Sequence, residues 1–153
     1  MDKNYLLASA RQLEQVATPV SKEYMNKSGQ LVNKMNSIML ERPDLENLIG
    51  ANNINMMKDN HANHVRFVGS ILKNYNPDVL VNTILWVFKA YRGHGFNTNY
   101  WAAQMNTWIS IIKEEFTRET YEAVYPYYEW MQVNIPQFVC LSDDELDDSK
   151  SMH

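Results

Sequence analysis

Two histidines three residues apart on a helix are the first candidates for chemistry in this chain. At about 100° per residue, His61 and His64 lie on one stripe with Met57 and Val68, so both imidazoles face the same way as apolar side chains. A polar group on a buried face costs free energy unless it has a partner. The pattern leaves two interpretations open: histidines satisfied by local partners, or a polar chamber inside the core.

An arginine without an acidic neighbour is the second candidate. Arg92 ends the next helix on the side that also carries Phe88, so its guanidinium is directed toward packed surface. A buried guanidinium needs an anion, but no acid lies within one turn, and neither His94 nor its two flanking glycines supplies one. The anion is then a remote carboxylate, a helix C-terminus or a ligand, unless Arg92 caps the carbonyls of its own helix.

The sequence carries none of the motifs that mark common catalytic sites. It has no nucleophile elbow, phosphate-binding loop or dinucleotide fingerprint, and Cys140 has no neighbouring histidine. Because no acid shares the face of His61 and His64, the two would form at most half of a metal site. We therefore expect a binding protein and not an enzyme, with no catalytic residue and no bound metal.

Helical periodicity and the placement of prolines predict an all-α fold that positions these residues. Five glycines and five prolines are too few for a sandwich of many short strands. The predicted helices cover residues 2–17, 18–39, 43–49, 54–75, 78–92, 97–116 and 118–141, the last being interrupted at Pro126 or Pro136. The helix over 78–92 is apolar nearly all round, so we expect other elements to wrap it.

The last two helices carry more large apolar residues than their inner faces need. Ordinary core packing accounts for part of this excess, and we expect the other part to form a surface for a second copy of the chain. The set comprises Trp108, Ile112, Tyr121, Tyr125, Tyr128, Trp130 and Met131.

Length and charge predict one neutral domain followed by an acidic tail. The chain has 153 residues, 45% of them hydrophobic, which suffices for one core over 1–141. Five of its 18 acids lie in 142–153, a segment predicted to be disordered, which leaves 13 acids and 13 bases in the domain. A neutral domain offers no basic face to nucleic acid.

With no apolar run of membrane-spanning length, no signal peptide and one cysteine, we expect a cytoplasmic protein.

Three segments together resemble a family of bacterial sensor domains. They are residues 59–67, which contain both histidines, residues 85–96, which contain Arg92 and His94, and the pair Tyr100 and Trp101. The chain resembles the non-haem globin sensor domains over about residues 5–141. Within that group it is most similar to free-standing, plasmid-encoded sporulation-inhibitory proteins of bacilli, which are similar to the sensor domain of a sporulation histidine kinase.

The resemblance implies a globin-like fold without haem, a homodimer and an internal tunnel. In the family a fatty acid fills the tunnel, its carboxylate meets an arginine, and a chloride ion lies nearby. The protein would inhibit sporulation by competing with the kinase sensor domain for its signal. The residues expected to bind the ligand are Arg92, favoured over Arg66, together with His61, His64, His94, Tyr91, Phe88, Met57, Val68 and Trp101.

Two other functions remain open from the residues alone. One is a haem globin that senses a gas, although the helix over 78–92 has no histidine in its body and only His94 beyond its end. The other is a helical interaction protein with a filled core and no ligand.

Overall fold

The chain folds into α-helices, as the periodicity predicts. The computed structural model describes the backbone of residues 2–151 and the side chains of residues 2–143. Within that part it contains nine helices and no strand. They are α1 (Lys3–Ala10), α2 (Thr18–Asn26), α3 (Ser28–Leu40), α4 (Leu45–Ile49), α5 (Ile54–Lys73), α6 (Pro77–Gly93), α7 (Asn99–Glu115), α8 (Arg118–Val133) and α9 (Ile135–Ser151).

Local signals in the sequence determine the ends of the site-bearing helices. The side chain of Asn76 caps α6 by accepting a hydrogen bond from the backbone N–H of Val79 at 3.2 Å, and Pro77 occupies the first turn. Thr117 caps α8 in the same way through the N–H of Thr120, at 3.3 Å. Gly95 follows α6 with φ of +98°, a conformation that a side chain disfavours.

The first predicted helix is shorter in the structure, and two others are divided. The segment after Ala10 leaves the helix because Gln15 docks it elsewhere: its amide donates to the carbonyl of Leu72 at 2.6 Å and accepts from the N–H of Tyr75 at 2.7 Å. The predicted helix over 18–39 breaks at Lys27, between α2 and α3. The predicted interruption near Pro136 is confirmed, since α8 ends before Asn134.

The acidic segment, predicted to begin at residue 142, starts inside helix α9. Helix α9 continues through Ser151, so the predicted boundary at 141 falls inside a helix. Ser142 and Asp143, at the start of this segment, are both held by Arg92. Residues 152 and 153 lie outside the described part of the chain.

The expectation that other elements wrap α6 is wrong. Trp86 on this helix is 66% exposed, and Val79 is also exposed. Of the seven large apolar residues on the last two predicted helices, the core of the single chain accounts for Trp108, Ile112, Tyr128, Trp130 and Met131, whereas Tyr121 and Tyr125 are half-buried. None of the described helices is long and apolar enough to cross a membrane.

Candidate functional site

An internal cavity of about 200 Å³ lies between the two central helices and the last three. Helices α5 and α6 form two of its walls, and α7, α8 and α9 close it from the other side. We call this space the internal cavity. Its lining residues are Asn60, Asn63, His64, Phe67, Thr83, Ile84, Trp86, Val87, Phe88, Tyr91, Trp101, Gln104, Met105, Met131, Ile135 and Phe138.

The internal cavity opens to solvent through the gap between α5 and α6. Asn63 on α5 and Trp86 on α6 are exposed, although both line it. Asn60, Trp101 and Gln104 are buried, at 5%, 2% and 1% exposure, and therefore lie at its closed end. A space with a buried end and an open side is typical of a small-molecule site.

The walls of the internal cavity are largely apolar and aromatic. Phe88 stacks on Trp101 with ring centroids 4.3 Å apart and contacts Phe138 at 5.2 Å. Met105 and Met131 complete the wall, and their unbranched side chains adapt to a variable ligand shape. A space of this kind favours an apolar ligand, because water inside it finds few hydrogen-bond partners.

The first of two buried polar networks behind these walls is centred on Asn60. Its Oδ1 accepts hydrogen bonds from the hydroxyl of Tyr100 at 2.8 Å and from Nε2 of Gln104 at 2.6 Å. His61 extends the network: its Nε2 lies 3.3 Å from the Tyr100 hydroxyl, and its Nδ1 donates to Oδ1 of Asn36 at 2.6 Å. Both ring nitrogens of His61 therefore have hydrogen-bond partners within the protein, and the side chain does not line the internal cavity.

The second network connects the wall to the core through two tyrosines. Nε2 of His64 is hydrogen-bonded to the hydroxyl of Tyr128 at 2.9 Å, which in turn contacts the hydroxyl of Tyr24 at 2.7 Å. The imidazole of His64 stacks on Trp108 with centroids 4.7 Å apart. These contacts fix the orientation of His64 where it borders the internal cavity.

Burial keeps both histidines uncharged. Desolvation lowers the pKa of His61 to about 3, and burial with the nearby His61 lowers the pKa of His64 to about 3 as well. Burial raises the pKa of Tyr91, and the carboxylate of Asp59 raises it further against the opposing effect of the neighbouring asparagine amides. At neutral pH the titratable groups bordering the internal cavity are therefore neutral imidazole and neutral phenol.

Arg92 does not line the internal cavity, because α9 engages its guanidinium. Nη1 donates to the carbonyl oxygen of Val139 at 3.2 Å and to Oγ of Ser142 at 2.8 Å, and Nη2 forms an ion pair with Asp143. The structure thus supplies a remote carboxylate, one of the anions that the sequence left open. Arg66 is exposed on α5 and donates from Nη2 to Oδ1 of Asn63 at 2.6 Å, at the rim of the cavity.

The other sequence-predicted site residues divide between the cavity wall and the rest of the fold. His64, Phe88, Tyr91 and Trp101 line the internal cavity, whereas Met57 and Val68 are buried in the core without bordering it. His94 is exposed beyond α6, and its carbonyl oxygen accepts a hydrogen bond from Nδ2 of Asn53 at 2.9 Å.

Sequence reasoning missed several wall residues. Asn60 was visible as part of the polar run around the histidines, and Gln104 lies one turn after Tyr100 on α7. Trp86, Met105 and Met131 gave no such signal, because a helical apolar pattern does not distinguish a cavity wall from a packed core. Within the described part of the chain, the buried indole N–H of Trp101 has no hydrogen-bond partner.

Comparison with known proteins identifies no relative for this arrangement. No protein-family model matches the chain, and no curated protein and no solved structure is significantly similar to it.

Proposed function

We propose that this protein is a non-enzymatic binding module that holds the acyl chain of a fatty-acid-class ligand in its internal cavity. The observation that carries the proposal is the combination of aromatic and aliphatic walls, an opening between α5 and α6, and a few neutral polar groups at the closed end. Ligand sites in proteins commonly combine these features.

The energetics of the internal cavity favour such a ligand. Burying one methylene group stabilises a complex by about 0.8 kcal/mol. An apolar void leaves its lining atoms without van der Waals partners, and a chain that fills the void restores them. The flexible side chains of Met105 and Met131 allow the wall to follow chains of different shape.

The resemblance of three segments to the non-haem globin sensor domains supports a more specific role. On that basis we propose a globin-like fold and a homodimer for this all-α chain, and a protein that inhibits sporulation by titrating the signal of a related sensor histidine kinase. The packing of α5 to α9 around the internal cavity is compatible with a globin-like arrangement. The chloride ion implied by the resemblance stays a prediction.

Gentle purification followed by native mass spectrometry tests the proposed ligand class directly. We expect the protein to carry an acyl compound, or to bind decanoic acid or 1-decanol after lipid extraction, in a titration followed by calorimetry at about pH 6. A protein that arrives without lipid and binds neither probe would contradict the proposal.

A matched pair of variants on α6 locates the binding. Val87 lines the internal cavity and Val79 does not, although both lie on the same helix and are at least partly exposed. We expect Val87→Trp to weaken binding of 1-decanol at least tenfold, because the indole occupies the chain's space, and Val79→Trp to leave it within twofold. Equal effects of the two substitutions would place the ligand elsewhere.

The proposed signalling role has its own test. Expression of the chain in a sporulating bacillus is expected to reduce spore formation, and the Val87→Trp variant is expected to lose this effect. Full inhibition by a variant that binds no ligand would show that signal titration is not the mechanism.

A further inference from the structure

The polar groups that border the internal cavity are all uncharged. The buried amides of Asn60 and Gln104 lie at the closed end, and the half-buried imidazole of His64 and phenol of Tyr91 also border the space. Both amides have Tyr100 as a neutral partner, and the imidazole has Tyr128. A ligand head placed here meets dipoles and no countercharge.

The two arginines nearest to this region are directed away from the closed end. Arg92 binds a carbonyl, a hydroxyl and the carboxylate of Asp143, all on α9. Arg66 lies on the exposed side of α5 and is hydrogen-bonded to Asn63 at the rim. A carboxylate bound to either guanidinium would lie outside the closed end.

Several titratable and charged groups lie on the helices that surround the internal cavity. The titratable and charged groups around the space, taken helix by helix, are Asp59, His61, His64 and Arg66 on α5, Tyr91 and Arg92 on α6, Tyr100 on α7, Tyr128 on α8 and Asp143 on α9. The lining itself contains no charged side chain, so a carboxylate at the closed end would lose its hydration without gaining a countercharge.

We propose that the internal cavity selects acyl chains with an uncharged, hydrogen-bonding head, which is an alcohol or the protonated form of a fatty acid, and discriminates against the carboxylate. The neutral head exchanges hydrogen bonds with the amides and the phenol that line the space. This inference rests on the proposed binding of acyl chains and specifies the form in which the ligand binds.

The selectivity has a measurable consequence for pH dependence. A carboxylic acid with a pKa of about 4.3 is protonated in only about one molecule in 500 at pH 7. If only that form binds, the apparent affinity falls about tenfold for each pH unit above the pKa. The affinity of an alcohol of the same length is independent of pH.

The experiment compares decanoic acid with 1-decanol by calorimetry at pH 5.5 and pH 7.5 on the full chain. We expect the affinity for the acid to fall about 100-fold between the two pH values and the affinity for the alcohol to change less than twofold. Equal affinities for the acid at both pH values would overturn the inference while leaving the proposed function intact. Failure of both probes to bind would overturn the proposed function, and the inference with it.

Substitution of Arg66 distinguishes binding of a neutral head in the internal cavity from binding of a carboxylate to Arg66 at its rim. Because Arg66 is exposed, Arg66→Gln is expected to fold normally. We expect it to change the affinities for the acid and the alcohol by less than twofold at pH 7.5. A selective loss of affinity for the acid would show that a carboxylate binds at Arg66, and it would refute the neutral-head inference.

Discussion

The length of the acyl chain is the most informative perturbation, because the volume of the internal cavity limits how much of a chain can be buried. A methylene group needs roughly the ~30 Å³ that one water molecule occupies in the liquid. The cavity of about 200 Å³ therefore accommodates about seven such groups. Further carbons must extend past Trp86 into solvent.

The expected result is a rise in affinity that stops at this length. Each added methylene contributes about 0.8 kcal/mol, or about fourfold in the dissociation constant, until the internal cavity is full. The cost of immobilising the ligand is similar for all members of the series, so the slope is more informative than the absolute affinity. Calorimetric titration of the primary alcohols from 1-butanol to 1-dodecanol measures both the slope and its end.

A pair of methionine substitutions checks that the limit comes from the internal cavity. Met105 lines it, whereas Met57 is also buried in the core and does not. We expect Met105→Ala to extend the plateau by about two to three carbons, since it removes three side-chain heavy atoms from the wall, and Met57→Ala to leave the plateau unchanged while destabilising the fold by about 2 to 5 kcal/mol. An affinity independent of chain length, or one that rises without a plateau to 1-dodecanol, would refute the reasoning from volume.

Three further predictions concern the surroundings of the internal cavity. Tyr128→Phe removes the hydrogen bonds to His64 and Tyr24 and is expected to lower the free energy of unfolding, measured by urea denaturation, by about 2 to 3 kcal/mol. Tyr24→Phe removes only the hydrogen bond between the two tyrosines and is expected to lower it by about 1 kcal/mol. Equal effects of the two substitutions would contradict the network of His64, Tyr128 and Tyr24. The pKa of His64 is about 3 in the folded state and 6.5 when unfolded, so the unfolded state binds more protons between these values, and stability should be lost as pH falls below about 6.5. His64→Phe should flatten that slope by about 1.4 kcal/mol per pH unit, and an unchanged slope would show that His64 is protonated in the fold. Arg92→Ala is expected to lower the free energy of unfolding by about 1 to 3 kcal/mol and to accelerate amide exchange in α9. The control Arg118→Ala removes an exposed ion pair with Glu122 and should change the free energy of unfolding by less than about 0.5 kcal/mol. Similar losses of stability in the two variants would contradict a stabilising contact between Arg92 and α9.

Local rules predicted the helices well where the signal was local. The cap at Asn76 and the proline after it place the start of α6 within one residue, and the pattern over 54–75 reproduces α5 closely. The first helix was predicted too long because Gln15 binds the end of α5, a contact between residues 57 and 60 positions apart. No periodicity in the first 17 residues contains that information.

At the site, too, the features that depend on neighbouring residues in the sequence could be predicted, whereas those that depend on partners distant in the sequence could not. The facing of Arg92 correctly indicated a need for an anion, and its partners on α9 lie about 50 residues away in sequence. The exposure of Trp86 was not foreseen, because an apolar residue on an apolar helix predicts burial. Its position at the opening becomes evident only when the helices are assembled around the internal cavity.

The charge of the internal cavity follows from these distant partners and not from the motif that drew attention to it. Two histidines and an arginine in neighbouring helices suggest a positive chamber, suited to a carboxylate. The fold gives His61 and His64 neutral partners on α3, α7 and α8 and desolvates both, so that both imidazoles are uncharged at neutral pH. It also gives the arginine a carboxylate of its own on α9. The residues that indicate an anion site in the sequence are thus neutralised or paired in the structure, and for this reason the comparison of an acid with an alcohol is the decisive measurement.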